Sequence, residues 1–209
     1  MKKFYPLAKH FEDFVLSLTA ILTLLPLMLF IALFLRLSGV KPVIFKQARA
    51  GLCGKIFTIY KFRTMTNATG LDGKLLPDRQ RLTKLGSFLR KLSLDELLQF
   101  YNVLKGDMSL VGPRPLLPEY VPLYSEKHRR RLSVKPGITG LVQVSGRSSI
   151  KWSCKFDIDV EYVQKKSLWL DNVILFKTVF KVFIAKDSPD VPECIENLDD
   201  LGFLERLKK

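Results

Sequence analysis

The sequence predicts an α+β protein, mostly helical, in which a proline-broken membrane helix anchors a small cytosolic domain containing one short β-hairpin. Three observations predict it. Between Asp13 and Arg36 the chain carries no charge and is dominated by Leu, Ile, Phe and Val, with Pro26 near the middle. Two short runs of alternating β-branched and aromatic residues follow, separated by glycines. The remainder returns apolar residues at helical spacing, and 47% apolar content in 209 residues suffices for a core.

Charge divides the chain. The net charge is +14, yet residues 187–209 hold seven acidic and three basic side chains, so the preceding part carries +18. An anionic partner is implied for that part: nucleic acid, an anionic lipid surface or phosphorylated substrates. Three segments result: an anchor over 1–40, a domain over 41–186 and an acidic tail over 187–209. Cys53, Cys154 and Cys194 are odd in number, widely spaced and show no C-x-x-C spacing, so they suggest neither a disulfide framework nor a zinc site and fit a reducing cytoplasm. Each cysteine is expected to be a small buried hydrophobe.

A helix from Phe14 to Leu35 reaches roughly 33 Å, enough for a hydrocarbon core of about 30 Å. The run is too long for a signal peptide and lacks a small-residue cleavage site. Lys2, Lys3 and Lys9 precede it and Arg36, Lys41, Lys46 and Arg49 follow it, so both flanks read as cytoplasmic. Pro26 removes the hydrogen bond to the Leu22 carbonyl, with Thr19 and Thr23 near enough to satisfy freed carbonyls. These features favour a re-entrant hairpin on one membrane face. A kinked spanning helix accommodates the same residues.

Val43–Gln47 and Ile56–Met65 read as the strands of a hairpin, with Lys61 and Arg63 on one face of the second. Residues 67–78 read as a polar loop. Leu82, Leu85, Phe88, Leu89 and Leu92 give an amphipathic helix that ends beside Arg90. Ser93 and Glu96 then stand at capping-box spacing, which places Ser93 at the N-cap, Asp95 at N2 and Glu96 at N3 of the next helix. There the orphan N–H groups and the helix dipole favour an ionised carboxylate and attract phosphate oxygens. Taken alone, the same residues are a well-capped helix start. Leu94, Leu97, Leu98, Tyr101 and Leu104 form the expected buried stripe, with Asp95, Gln99 and Asn102 on another face and Gly106 as the stop.

Gly112-Pro113-Arg114-Pro115 fixes the backbone on both sides of one arginine, which limits the entropy lost when that arginine grips an anion. Lys127–Arg131 is a basic run, either a solvated face or a contact for anionic headgroups. Lys135-Pro136-Gly137-Ile138-Thr139-Gly140 and Ser145-Gly146-Arg147 can bring N–H groups and a guanidinium to a diphosphate. Asp157, Asp159 and Glu161 share a face in a strand, whereas Phe156, Val160 and Val163 have helical spacing. Leu168–Ile184, with Trp169, Phe176 and Phe180, reads as an interfacial amphipathic helix or a core helix.

Taken together and in order, these motifs resemble the bacterial sugar transferase family, in particular its small monotopic phosphoglycosyl transferases. The motifs are the proline-centred membrane segment, Lys61-Phe62-Arg63-Thr64-Met65, Ser93-Leu94-Asp95-Glu96-Leu97, Asn102 to Ser109, Val111 to Pro115 and Lys135 to Gly140. The resemblance runs to about Ile184. It implies a protein on the cytoplasmic face of the bacterial inner membrane that transfers a sugar 1-phosphate from a UDP-sugar to undecaprenyl phosphate, with Mg²⁺. By the same resemblance Asp95 is the nucleophile, and Asp95 and Glu96 are the carboxylates for the metal. Arg90, Arg114 and Arg147 would bind phosphate, joined by Lys61 and Arg63, and Asp159 matches a further carboxylate of the family on the substrate-binding side. Leu141 and Ser145 depart from the Trp and Asn common in relatives, which leaves the sugar open. The expected partners are therefore the UDP-sugar, the lipid phosphate and a phospholipid membrane rather than nucleic acid, with room for a homodimer. The alternative from charge alone is a non-enzymatic, membrane-anchored binder of nucleic acid or anionic lipid.

Overall fold

In the computed structural model, residues 5–145, 151–184 and 199–208 are described. Helix α1, Tyr5–Leu37, is 33 residues long and so about 50 Å in length. It continues through Pro26 without interruption. The threonine hydroxyls donate to upstream carbonyls, Thr19 to Val15 at 2.9 Å and Thr23 to Thr19 and Ala20 at 2.8 and 3.2 Å. The expected partner was the Leu22 carbonyl. A helical threonine folds back three or four residues along its own helix, so its immediate neighbour is out of reach.

Both halves of α1 dock on the domain. Lys9, Asp13 and Ser17 are buried at i, i+4 and i+8, and Met28, Ile31 and Leu35 at i, i+3 and i+7. The first stripe is polar: Lys9 pairs with Asp13 at 3.0 Å and with Asp171 at 3.2 Å, and Asp13 accepts from the Leu110 N–H at 3.1 Å. The second stripe joins Phe62 and Leu89 in an apolar cluster. Other apolar side chains of α1, among them Leu22, Leu29, Phe30 and Leu33, stay exposed.

Strands β1, Ile44–Ala50, and β2, Ile56–Phe62, form the expected antiparallel hairpin, registered from Ile44 opposite Phe62 to Ala50 opposite Ile56. Their turn places Cys53 and Gly54 at positive φ, 53° and 79°. Cys53 sits exposed at that turn and Cys154 is exposed on a helix, so neither is the buried hydrophobe expected; Cys194 lies outside the described residues. Helix α2, Asp78–Arg81, leads into α3, Lys84–Lys91, where the Thr83 hydroxyl caps by accepting from the Gly86 N–H at 2.8 Å. Helix α4 spans Gln99–Leu104 and is followed by Gly106 at φ 82°, as a C-terminal stop requires.

Strand β3, Ser109–Val111, crosses the core and pairs in parallel with β4, Gly137–Thr139. Between them stands α5, Glu126–Arg129, and after them α6, Leu141–Val144. Helix α7, Trp152–Lys165, resolves the ambiguity of its sequence in favour of the helical period, because Phe156, Val160 and Tyr162 must face inward. Helix α8, Leu168–Ile184, has one covered face and one exposed apolar face. Asp171 and Ile174 are fully covered while Trp169, Phe176, Val179 and Phe180 face outward. A last helix, Phe203–Lys208, returns to the domain.

The main core joins Phe57 and Ile59 of β2 with Val103, Met108, Leu110, Val111, Tyr162 and Ile174. Strands from two distant parts of the chain are thereby fixed around α4, which is what positions the carboxylates.

Candidate active site

Asp95 and Glu96 lie in a tight 3-10 turn, Leu94–Glu96, rather than in the first turn of a capped α-helix. Ser93 adopts φ 55° and its side chain makes no cap bond. Its N–H, the donor a capping box needs, is already given to the Arg90 carbonyl at 2.9 Å. The Glu96 carboxylate has charged partners instead, Lys61 at 2.6 Å and Arg114 at 3.0 Å, and such bonds are roughly twice as strong as neutral ones.

The polar face expected to lie away from the core is the inner one. Asp95, Gln99 and Asn102 are all buried, whereas Tyr101 of the apolar stripe is half exposed. Asn102 explains why: its Oδ1 accepts from the Tyr60 N–H at 3.2 Å and its Nδ2 donates to the Thr58 carbonyl at 2.7 Å. One side chain thus satisfies two backbone groups of β2 and fastens α4 to the hairpin. Asp95 and Lys61 are brought together by that contact.

Electrostatics separate the two carboxylates. Burial pushes the Asp95 carboxyl above its ordinary value and the Glu96 charge adds to this, against the pull of Lys61, Arg90 and Arg114. Burial acts on Glu96 in the same direction, but Arg114 and Lys61 outweigh it and hold that carboxyl at about 2. Lys61 is lowered by burial. Among the described residues Asp95 has no hydrogen-bond or ion-pair partner, so its oxygens are available to a ligand. Arg90 is held behind it by Nε donating to the Thr64 hydroxyl at 2.9 Å.

Arg114 is delivered by the β3–β4 pairing. Gly112 donates to the Thr139 carbonyl at 2.9 Å and Gly137 to the Pro113 carbonyl at 3.0 Å, locking the two proline-glycine loops together. A Cβ on Gly137 would stand 2.1 Å from the Gly112 nitrogen, so only glycine permits this approach. From the other side Arg131 Nη2 donates to the Arg114 carbonyl at 2.8 Å. Arg131 is itself buried, with Nε and Nη2 on Asp159 at 3.0 and 2.7 Å and Nη1 on the Tyr124 hydroxyl at 2.9 Å.

The structure therefore gathers Lys61, Arg90 and Arg114 around Asp95 and Glu96. Arg63 stands outside this group, donating to Asn67 at 2.7 Å with its guanidinium 5.8 Å from the Phe45 ring; β2 ends at Phe62, so the basic edge expected for Lys61 and Arg63 divides. Asp159 meets the site only through Arg131. Arg147 lies outside the described residues. Of the basic run, His128 and Arg131 turn inward, His128 facing Asp157 at 3.0 Å. Sequence reasoning missed Arg131 because a run of five basic residues conceals which of them are buried. It also missed Arg49, which lines the same cleft as Lys61, Glu96, Gln99 and Arg114 and donates to the Pro115 carbonyl at 3.3 Å. Strand alternation was the available signal for it.

Among the described residues no three His, Cys, Asp or Glu side chains cluster as metal ligands. Asp95 and the second oxygen of Glu96 nevertheless fit Mg²⁺, which takes one or two carboxylates and completes its shell with water and substrate phosphates.

Comparison with known proteins gives the family. The chain is 57% identical over 160 residues to the uncharacterized sugar transferase EpsL of Bacillus subtilis, covering 77% of this chain and 79% of that one. It is 41% identical over 201 residues to the UDP-glucose:undecaprenyl-phosphate glucose-1-phosphate transferase of Escherichia coli, covering 86% of this chain and 41% of the relative. It is 35% identical to the exopolysaccharide production protein ExoY of Sinorhizobium fredii over 199 residues, 87% and 88% of the two chains. The chain thus spans about two fifths of the Escherichia coli relative and most of the other two. The family model for bacterial sugar transferases matches residues 4–185, and the chain belongs to the bacterial sugar transferase family.

Proposed function

We propose that this phosphoglycosyl transferase moves a sugar 1-phosphate from a UDP-sugar to undecaprenyl phosphate and releases UMP, with Asp95 as the nucleophile. The observation that carries the reading is a buried carboxylate without a partner among the described residues, set beside one whose Oε1 is paired with Lys61 and Arg114, and facing Lys61, Arg90 and Arg114. The activity named for the Escherichia coli relative supports the substrate class.

In this scheme an Asp95 oxygen attacks the sugar-proximal phosphorus and the bond from that phosphorus to the UMP oxygen breaks. UMP leaves with the electron pair, and the sugar phosphate remains on Asp95 as an acyl phosphate. An oxygen of the lipid phosphate then attacks the same phosphorus and Asp95 is regenerated. Dividing one displacement into two is the logic of covalent catalysis. Lys61, Arg90 and Arg114 bind the phosphoryl oxygens and stabilise charge spread over them. The depressed Glu96 carboxyl keeps Lys61 and Arg114 in place and remains ionised throughout. Mg²⁺ held by Asp95 and Glu96 would neutralise diphosphate charge when bound.

A one-face membrane position is supported by α1, whose two halves both dock on one body through Lys9 and Asp13 and through Leu35. The exposed apolar residues of α1 and α8 suit a bilayer. A UDP-sugar supplied from the cytosol would put that face on the cytoplasmic side of the inner membrane.

The test is a screen of UDP-sugars for UMP release by the protein in nanodiscs with Mg²⁺. Release is expected with one sugar or a few, and none from Asp95→Asn even without lipid acceptor. Full turnover by Asp95→Asn would overturn the mechanism.

A further inference from the structure

The C-terminal segment lies beyond the family match, which ends at residue 185, and yet it reaches the support of the site. Phe203 is 2% exposed. Its ring lies among those of Tyr120, Tyr124, Trp152 and Phe156, at centroid distances between 5.8 and 6.1 Å. Asp200, three residues before it, accepts from the Ser153 N–H at 3.1 Å and from the Ser153 hydroxyl at 2.5 Å. Ser153 is in the first turn of α7, where N–H groups have no helical partner and a carboxylate is favoured.

Two of the rings around Phe203 are the ones that hold Arg131. Its guanidinium is 5.0 Å from the Phe156 centroid and 5.6 Å from that of Tyr124, whose hydroxyl it also engages. Arg131 in turn fixes the Arg114 carbonyl, and Arg114 carries its guanidinium to Glu96. A continuous path of packed rings and hydrogen bonds therefore joins the tail to the arginine of the site.

We infer that Phe203 is a positioning residue: docking of the tail in the aromatic cage fixes Tyr124 and Phe156, these fix Arg131, and Arg131 fixes the backbone of Arg114 for phosphate binding. The inference rests on the transfer reading above. Without the ring at 203 the cage must collapse or admit water, and Tyr124 and Phe156 lose their common neighbour. Arg131 then keeps its bonds to Asp159 and the Arg114 carbonyl, but the two rings that set the depth of its guanidinium are no longer fixed. Small displacements at a phosphoryl-transfer site are costly, with about 1 Å enough to lose 10²-fold in rate.

The experiment uses the full chain in nanodiscs with Trp169→Phe, so that Trp152 reports on the cage. Phe203→Ala is compared with the parent at a temperature where both are folded by circular dichroism. Phe203→Ala is expected to change Trp152 emission and to lower UMP release at least about 10-fold at saturating UDP-sugar. Added peptide of residues 199–209 restores both, and the same peptide with Phe203→Ala restores neither. A folded variant that turns over like the parent overturns the inference, as does a peptide that restores Trp152 emission but not UMP release. A parent silent with every UDP-sugar overturns the transfer reading and this one with it, which is distinct from an active parent with an equally active variant.

Discussion

Two buried charge clusters meet at Arg114, one on its side chain and one on its backbone, and they are built on opposite plans. Around Arg131 every charge is matched: Asp159, the Tyr124 hydroxyl and the Arg114 carbonyl take the donors of one guanidinium, and two rings cover it. Around Asp95 the match is deliberately incomplete. Glu96 takes Lys61 and Arg114, and Asp95 is left buried, raised by burial and by Glu96, and without a bond among the described residues. A closed cluster gives a fixed scaffold, whereas an open one stores unspent electrostatic attraction for a ligand.

The contrast breaks most sharply at Asp95 itself. Asp95→Asn removes the nucleophile and is expected to lower UMP release by at least about 10³-fold, while the melting temperature stays level or rises, because a buried unpaired charge has been removed. Thermal melting of the variant beside its UMP assay checks both halves. Asp159→Asn should do the reverse in order of severity. It strands Arg131 without its counter-charge and is expected to cost about 3–5 kcal/mol of stability, which a denaturant or thermal titration measures, with activity falling as a consequence.

Acid separates the clusters further. The Glu96 carboxyl is held at about 2 against an ordinary 4.5, so its pairing contributes stability in full above 4.5 and loses it as pH falls toward 2. The stability difference between the parent and Glu96→Gln should accordingly shrink over that window. Asp95 shifts the other way and must be ionised to attack. The acid limb of UMP release is therefore expected above the roughly 3.9 of a free aspartate. The smallest effect belongs to a pair outside both clusters. Lys165 and Glu161 meet at 2.8 Å with side chains 69% and 48% exposed, and Lys165→Ala should alter stability by no more than about 0.5 kcal/mol.

Much of the site was legible because its residues sit in local motifs. Proline on both sides of Arg114, glycines in the Lys135–Gly140 loop and the adjacent Asp95 and Glu96 are features of seven residues or fewer, and each kept its place. The Ser93 capping box failed for a reason of the same kind viewed over a longer range. Lys61, 35 residues away in sequence, offers Glu96 a charged bond that a local N–H cannot match. The non-enzymatic binder suggested by charge gave way once the basic residues were seen to converge on two carboxylates in a transferase family.

By itself the sequence determined the apolar anchor, the hairpin, the helical periods and the carboxylates, since these depend on composition and on spacing within one element. Tertiary structure alone decided which charges are buried and which are paired. Lys9 and Asp13 look like the flank of a membrane segment and prove to be docked against Asp171; Arg131 looks like one of a solvated run and proves to hold Arg114; Phe203 looks like part of an acidic tail and proves to fill a cage. The physical reason is common to all three. The fate of a charge or a ring is set by the partners that desolvate it, and those partners come from distant parts of the chain.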